Sequence, residues 1–204
     1  MIKDAFPKES EEEENTSKTI RFTRLQHLKF QNLPSLTTFS KEIDSIEFSS
    51  LSNLDIYDLA AFKSLCTQHN SHISTDINIE KSLVDGNVSF PGARRLEIRG
   101  LNTVHEIWSS EVKSTDFLRL EVLVIKSSCS CKSLFSSSMA EGLKHLKELQ
   151  VQISDCKMMK EVIAEEEEHR PGKQTKSFFP QLERLELGSL HDLRTFCHVN
   201  HSLE

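Results

Sequence analysis

Cysteine and histidine are the residues of this chain best suited to metal or redox chemistry. The five cysteines are Cys66, Cys129, Cys131, Cys156 and Cys197. Cys129 and Cys131 stand one residue apart, a spacing that suits a redox or metal site, and Cys197 is followed by His198 and His201. A structural zinc site needs four ligands, however, and no second cysteine pair completes either group. We therefore expect no metal and no cofactor, with reduced cysteines that fill small apolar positions.

Motifs for nucleophilic catalysis and phosphate binding are absent from the sequence. It has no G-x-S-x-G nucleophile elbow and no G-x-x-x-x-G-K-[ST] phosphate loop. Serine, histidine and aspartate are plentiful, but their positions along one chain do not define a catalytic triad. We therefore expect a protein that acts by binding and is not an enzyme.

A repeated spacing of apolar residues predicts the architecture. In "FTRLQHLKFQNLPSLTTF", which begins at Phe22, the apolar residues follow at steps of three, three, two, three, three and three. Similar phrases start near residues 22, 48, 90, 117, 143 and 179, at intervals of 26, 42, 27, 26 and 36 residues. Three intervals fall within the 20–29 residues of leucine-rich repeats. The longer two carry insertions, at residues 66–89 and 165–176, and the fifth repeat is predicted to gain two residues near Leu149 and Val151.

The two-residue step within each repeat predicts a short strand. Leu28 and Phe30, and their counterparts, would point inward while the residues between them face solvent. About six such strands predict a leucine-rich-repeat solenoid of the α/β class, with a parallel sheet on its concave face. The period-three segments predict extended turns or 3₁₀ segments on the convex side, and Ser138 with Glu141 predicts a short helix there. Apolar core and open sheet edges are expected at both ends.

Composition and charge narrow the possible partners and location. Residues 1–20 contain the acidic run Glu11–Glu14 and are predicted to be disordered, whereas residues 21–200 are predicted to form one repeat domain. The net charge of -6, without a basic stripe, argues against nucleic acid. No apolar run approaches the ~18 residues of a membrane span, and the first residues lack the apolar centre of a secretory signal. We therefore expect a cytoplasmic protein.

Several phrases carry a resemblance to a known family. They are "FPQLERLELGSLHDLRTF", "ISDCKMMKEVIAEEEE", "LEIRGLNTVHEIW" and "CKSLFSSSMAEGLKHLKEL". They resemble the leucine-rich-repeat region of plant coiled-coil nucleotide-binding leucine-rich-repeat disease-resistance proteins, over roughly residues 20–200. The resemblance implies a recognition module of innate immunity that senses pathogen effectors or guarded host proteins and restrains a nucleotide-binding switch in a parent receptor. The alternative is a leucine-rich-repeat adaptor or scaffold without a role in defence.

The solvent-facing residues of the predicted strands form the candidate binding site. In register, Tyr57, Arg99 and Lys126 occupy one row, and Arg94 and Arg95 lie nearby. Tyrosine and arginine often dominate interfaces, so these five residues are predicted to contact an acidic protein partner. The alternative is an ordinary solvated sheet face. The acidic runs, Glu11–Glu14 and Glu165–Glu168, are either solvated or dock on a basic domain of the same receptor. Trp108 is expected to fill the core or its edge.

Overall fold

The computed structural model describes residues 18–41, 43–67, 82–101, 106–109, 112, 117–127, 131–154, 158–164 and 177–197. These residues form short strands and one short helix. The strands are β1 Thr19–Arg21, β2 His27–Gln31, β3 Thr38–Lys41, β4 Ser45–Glu47, β5 Asn53–Tyr57, β6 Ser64–Thr67, β7 Ser82–Val84, β8 Val88–Ser89, β9 Arg95–Arg99, β10 Glu106–Trp108, β11 Val122–Ser127, β12 Phe135–Ser136, β13 Glu148–Ile153, β14 Glu161–Ala164, β15 Arg184–Gly188 and β16 Thr195–Cys197. The helix, α1, spans Ser137–Gly142.

One strand from each predicted repeat joins a single parallel sheet, which we call the main sheet. Its strand order is β15-β13-β11-β9-β5-β2, so neighbouring repeats are neighbours in space. The first leucine of each two-residue step stands beside its counterpart on the next strand. These side-by-side residues are Leu28, Leu54, Leu96, Leu123, Leu149 and Leu185. The predicted strands and their parallel pairing are therefore confirmed.

The fifth repeat keeps this register along β13, and its two predicted extra residues lie after Val151: Val151 and Ile163 are 12 residues apart, whereas their paired counterparts Ile125 and Phe135 are 10 apart. Leu149 pairs with Leu123, and Val151 pairs with Ile125. β13 continues beyond Val151 and buries one more apolar side chain, that of Ile153. The longer strand adds an apolar position at its end without shifting the pairing of the residues before it.

The segments that return from one main strand to the next carry short strands, where extended turns or 3₁₀ segments were predicted. Three further groups of parallel strands form, namely β1-β4-β8, β7 with β10, and β3 with β6, and a fourth has the order β12-β14-β16. Because successive repeats lie one strand spacing apart on this side too, their N–H and C=O groups pair between repeats. The predicted insertion at 66–89 accordingly contains β7 and β8.

The short helix begins two residues earlier than predicted. The Oγ atom of Ser136 accepts a hydrogen bond from the Met139 N–H at 3.3 Å, which makes Ser136 the N-cap. Ser138 lies inside α1, with its hydroxyl 3.1 Å from that of Ser136. Three consecutive serines all suit a helix N-terminus, so residue type alone did not select the capping residue.

Aromatic rings connect the repeats through the core. Phe48 stacks on Phe22 at 5.1 Å between centroids and on Phe90 at 5.4 Å. Phe117 follows at 5.8 Å from Phe90, and Trp108 packs edge-on against it at 5.0 Å. Trp108 is 8% exposed, so its expected role as a core residue is confirmed. Its Nε1 has no hydrogen-bond partner within the described part of the chain.

The described cysteines are free thiols in or beside the core. Cys66 and Cys131 are buried and Cys197 is half-buried. Burial raises the pKa of Cys66 to about 11, and the nearby carboxylates of Asp85 and Asp44 add to the effect, so this residue stays a neutral thiol. Cys129, Cys156, His198 and His201 lie outside the described residues.

The first strand begins before the predicted start of the repeat domain. β1 begins at Thr19, two residues before the predicted start of the repeat domain at residue 21, because Thr19 to Arg21 pair with β4. Residues 1–17, with Glu11–Glu14, and residues 165–176, with Glu165–Glu168, lie outside the described residues.

Candidate protein-interaction site

The solvent-facing side of the main sheet brings the predicted binding residues together. Tyr57 pairs with Arg99 across β5 and β9, and Arg99 pairs with Lys126 across β9 and β11, so the three occupy one row. Arg95 lies on the same strand as Arg99, and Arg94 immediately precedes that strand. Around Tyr57, six side chains form what we call the Tyr57 cluster. Its members are Lys29, Asp55, Tyr57, Arg95, Glu97 and Arg99.

Glu97 is the buried centre of this cluster, although it occupies a strand position predicted to face solvent. It is 4% exposed. Its Oε2 atom accepts a hydrogen bond from Arg95 at 2.5 Å, and its Oε1 atom accepts one from the Arg99 Nε. Burial by itself would raise the pKa of Glu97, but the hydrogen bonds and positive charges of Arg95 and Arg99 hold it below its ordinary value. Glu97 therefore stays ionised and offsets part of the positive charge expected here.

The ring of Tyr57 lies between two cations. The Lys29 Nζ is 4.9 Å from the ring centroid, and the Arg99 Cζ is 5.9 Å from it. Both distances are within the roughly 6 Å reach of a cation–π contact. Sequence reasoning missed Lys29, which pairs with Asp55 on the neighbouring strand and is therefore a diagonal neighbour of Tyr57. Pairing register was the signal that pointed to it.

The phenol of Tyr57 is kept neutral. Burial, the negative charges of Asp55 and Glu97, and a hydrogen bond with Glu97 raise the pKa of Tyr57 to about 12, while Arg99 acts in the opposite direction. The cluster therefore presents a neutral aromatic ring flanked by cations, and tyrosine and arginine are residue types that often dominate protein interfaces.

Asp55 supplies an unused acceptor beside the ring. It stands between Lys29 and Glu97 in the middle row of the sheet. Its Oδ1 atom is buried and has no hydrogen-bond partner among the described residues. A buried polar atom without a partner costs on the order of 1–3 kcal/mol. This unsatisfied oxygen is therefore a local energetic cost within the cluster.

Arg94 and Lys126, the remaining predicted residues, differ in their surroundings. The Arg94 guanidinium lies 3.6 Å from Glu121, which also pairs with Lys147 at 3.0 Å. Lys126 has no carboxylate partner in the part of the chain that the structure describes, and it lines a shallow depression of about 290 Å³ with Gln150, Gln152 and Gly188, among other residues. Arg94, Arg95 and Arg99 thus have carboxylate partners within the chain, whereas the Lys126 ammonium has no ion pair among the described residues.

Within the described ranges, no group of three or more histidine, cysteine, aspartate or glutamate side chains is arranged to hold a metal ion. None of the helices in the described ranges combines the length and apolar character that crossing a membrane requires.

The parallel strands in repeated register, with few helices, define a repeat protein of the α/β class. The family model described as plant disease resistance protein RPS2-like, leucine-rich repeats, matches residues 92–202. That match spans more than half of the 204 residues, and the chain belongs to this family. The resemblance predicted from the sequence is confirmed, and the chain is a defence-related repeat module. No curated protein sequence and no solved structure matches it.

Proposed function

We propose that the chain is a protein-recognition module of plant innate immunity that binds its partner through the Tyr57 cluster and Lys126. In this proposal the stacked repeats form a curved solenoid whose main sheet is the concave, binding face. The observation that carries the proposal is the position of the Tyr57 ring within cation–π distance of both Lys29 and Arg99. Membership of a disease-resistance repeat family supports the role in defence.

The chemistry of the surface favours an acidic segment of a protein. Lys29, Arg95, Arg99 and Lys126 provide four cationic groups, against the three carboxylates of Asp55, Glu97 and Glu186, the last of which lines the same depression as Lys126. The surface therefore has an excess of positive charge on a chain whose net charge is -6. Such local complementarity favours fast and selective association.

The partner is proposed to be a pathogen effector or a guarded host protein, met in the cytoplasm. The module acts by binding, without catalysis, and restrains a nucleotide-binding switch in a parent receptor. Engagement of the sheet face would change the contacts that maintain this restraint, so binding would shift the switch between its two states. An adaptor without a role in defence could use the same surface, but the family match favours defence.

Two substitutions on the sheet face test the proposal. Tyr57→Ala removes the ring, and Lys126→Glu reverses a charge that no other residue in the described part neutralises. Lys63→Glu is a matched control, because Lys63 is an exposed lysine beside β6 on the return side. Arg95 and Arg99 are less suitable, since their reversal would also release Glu97.

The measurement is affinity capture of proteins from infected and uninfected plant tissue, followed by titration of each captured protein against the purified chain. We expect Tyr57→Ala and Lys126→Glu to lose proteins that the wild-type chain and Lys63→Glu retain. A captured set that is the same for all four proteins would contradict the proposed site. A set lost with the sheet-face variants but unrelated to infection or immune signalling would favour the adaptor.

A further inference from the structure

The shallow depression on the main sheet has a cation on one side and a carboxylate on the other. Its volume is about 290 Å³, and its lining includes Lys126 of β11, Gln150 and Gln152 of β13, and Glu186 and Gly188 of β15. Lys126, Gln152 and Gly188 form one row across the three strands, and Gln150 pairs with Glu186 in the row beside it. These residues lie on the face of the sheet, so a further strand beside β15 would border the depression without covering it. We call it the Gly188 depression.

Gly188 leaves this space open, although neither the backbone nor the packing requires a glycine there. Among the glycines of the described residues, only Gly100 has a positive φ, at +64°. A Cβ added to Gly188 would contact only the Gln152 Cγ, at 3.8 Å, whereas a Cβ on Gly100 would collide with Asp58. A glycine within a strand often marks a place where a ligand or another chain approaches closely. The missing side chain at position 188 therefore has its clearest consequence on the binding face, where it makes room for a group of a partner.

The charge of the sheet face changes sign across this depression. Lys126 has no carboxylate partner among the described residues. On the other side, the Arg184 guanidinium lies 2.5 Å from Glu186 and 3.6 Å from Glu148, so two carboxylates share one cation. Both hydrogen bonds from Arg184 go to the Oε1 atom of Glu186, and its Oε2 atom accepts none from the described part of the chain. The depression thus lies between an excess of positive charge and an excess of negative charge.

This arrangement specifies the chemistry of a matching ligand. A segment with charges of one sign would be repelled on one side of the depression, whereas a segment with both signs in the right order would be attracted on both sides. Lys126 suits an acidic side chain, and Glu186 suits a lysine or arginine. β11 and β15 are two strand spacings apart, about 10 Å, so the two groups belong to different residues of one protein segment.

We propose that the Gly188 depression receives a lysine or arginine side chain of the same partner segment whose acidic residue lies on Lys126. The basic group pairs with Glu186, and its aliphatic stem lies over Gly188. This inference rests on the proposed function and adds a direction to it. The partner crosses the strands with its acidic end toward β5 and its basic end toward β15, and a segment with the opposite order places like charges together on both sides.

Peptides selected from a displayed random library on the purified wild-type chain provide the probe. Each enriched peptide is synthesised and titrated by fluorescence anisotropy against the wild-type chain, Tyr57→Ala and Lys126→Glu. Peptides that both substitutions weaken bind at the proposed site. We expect these peptides to share an acidic and a basic residue in one order. The reversed sequence of each peptide has the same composition and net charge, and it should bind more weakly.

Two substitutions in the chain test the depression itself. Glu186→Gln removes its negative charge, and Gly188→Gln fills its space with a neutral side chain. Each should weaken the binding of the site peptides about two- to fivefold, the range expected for a partly exposed ion pair. Gly188→Ala is the matched control, because it adds one carbon and leaves most of the space open. Replacement of the basic residue of a peptide by glutamine should weaken binding to the wild-type chain but not to the Glu186→Gln variant, and circular dichroism checks that each variant folds.

The outcomes separate this inference from the proposed function. Site peptides that share no basic residue, or that bind the wild-type chain, Glu186→Gln and Gly188→Gln equally well, would overturn the inference and leave the proposed function standing. Peptide binding that survives both Tyr57→Ala and Lys126→Glu would contradict the proposed site and this inference with it. A selection that enriches no peptide would also overturn the inference, because a linear segment is required to bind, and the captured proteins would then decide the proposed function.

Discussion

Phe48 and Phe90 stack with their ring centroids 5.4 Å apart and their planes 7° from parallel, across the longest interval between neighbouring repeats. Both rings are buried, and each occupies the first apolar position of its repeat. The residues inserted between them therefore leave the stacking of the second and third repeats intact. The contribution of this ring stack to the free energy of unfolding can be measured by substitution.

Removal of the Phe48 ring should be among the most destabilising single changes. Phe48→Ala would lose ring contacts on both sides and leave a cavity between neighbouring repeats. We expect a loss of about 3–5 kcal/mol in the free energy of unfolding. Urea denaturation followed by circular dichroism measures it. Leu118→Ala, at an exposed position, should change stability by less than about 1 kcal/mol, and an equal effect of the two substitutions would argue against the buried ring stack.

The ionisation of Tyr57 can be measured directly, because it is the only tyrosine of the chain. Ultraviolet absorbance should show a midpoint at about pH 12 in the folded protein, above the ordinary value of about 10. Because the folded-state pKa is raised, the corresponding stability is present below pH ~10 and is lost as pH rises through about 12. Glu97→Gln should lower the midpoint, since it removes a negative charge beside the phenol. An unchanged midpoint in this variant would contradict the contact.

Neutralisation of Glu97 should also destabilise the fold in a pH-dependent way. Glu97→Gln leaves two guanidinium groups without their shared carboxylate, and we expect a loss of about 1.5–3 kcal/mol near neutral pH. Because the folded-state pKa of Glu97 is lowered, its contribution is present above the ordinary pKa of glutamate and is lost as pH falls through the lowered value. The stability difference between the two proteins should therefore shrink in acid.

Urea titrations of both proteins from neutral to acidic pH measure that difference. Glu47→Gln is the matched control, because the Glu47 pair with Arg21 is exposed on both sides and should contribute only about 0–1 kcal/mol. Equal losses from the two glutamine variants would show that burial adds nothing to the Glu97 contacts.

Two glycines at the ends of main strands should respond differently to alanine. Gly100 has a φ of +64°, and an added Cβ would lie 2.4 Å from the Asp58 Oδ1. Gly100→Ala should therefore cost on the order of 1–3 kcal/mol. A Cβ at Gly188 would meet only the Gln152 Cγ, at 3.8 Å, so Gly188→Ala should be neutral or slightly stabilising. Thermal unfolding of the two variants compares them, and the opposite order would contradict this backbone geometry.

Much of the candidate site could be located in the sequence, because strand register follows from the repeat spacing. An alignment of the repeated phrases was enough to predict that Tyr57, Arg99 and Lys126 lie in one row. The role of Glu97 could not be predicted in this way. Positions between two buried strand residues normally face solvent, whereas Glu97 pairs with an arginine on either side. Register makes Lys29 a diagonal neighbour of Tyr57, but whether the two side chains meet depends on side-chain direction, which spacing does not specify.

The sequence by itself determined the repeat, its main strands and the protein family, because strand periodicity and apolar spacing are local properties of the chain. Only the tertiary structure decided which return segments pair as short strands, since those hydrogen bonds join residues of different repeats. It also decided that Glu97 is buried and ionised while Asp55 keeps an unpaired oxygen, because desolvation and charge depend on neighbours that are distant in sequence.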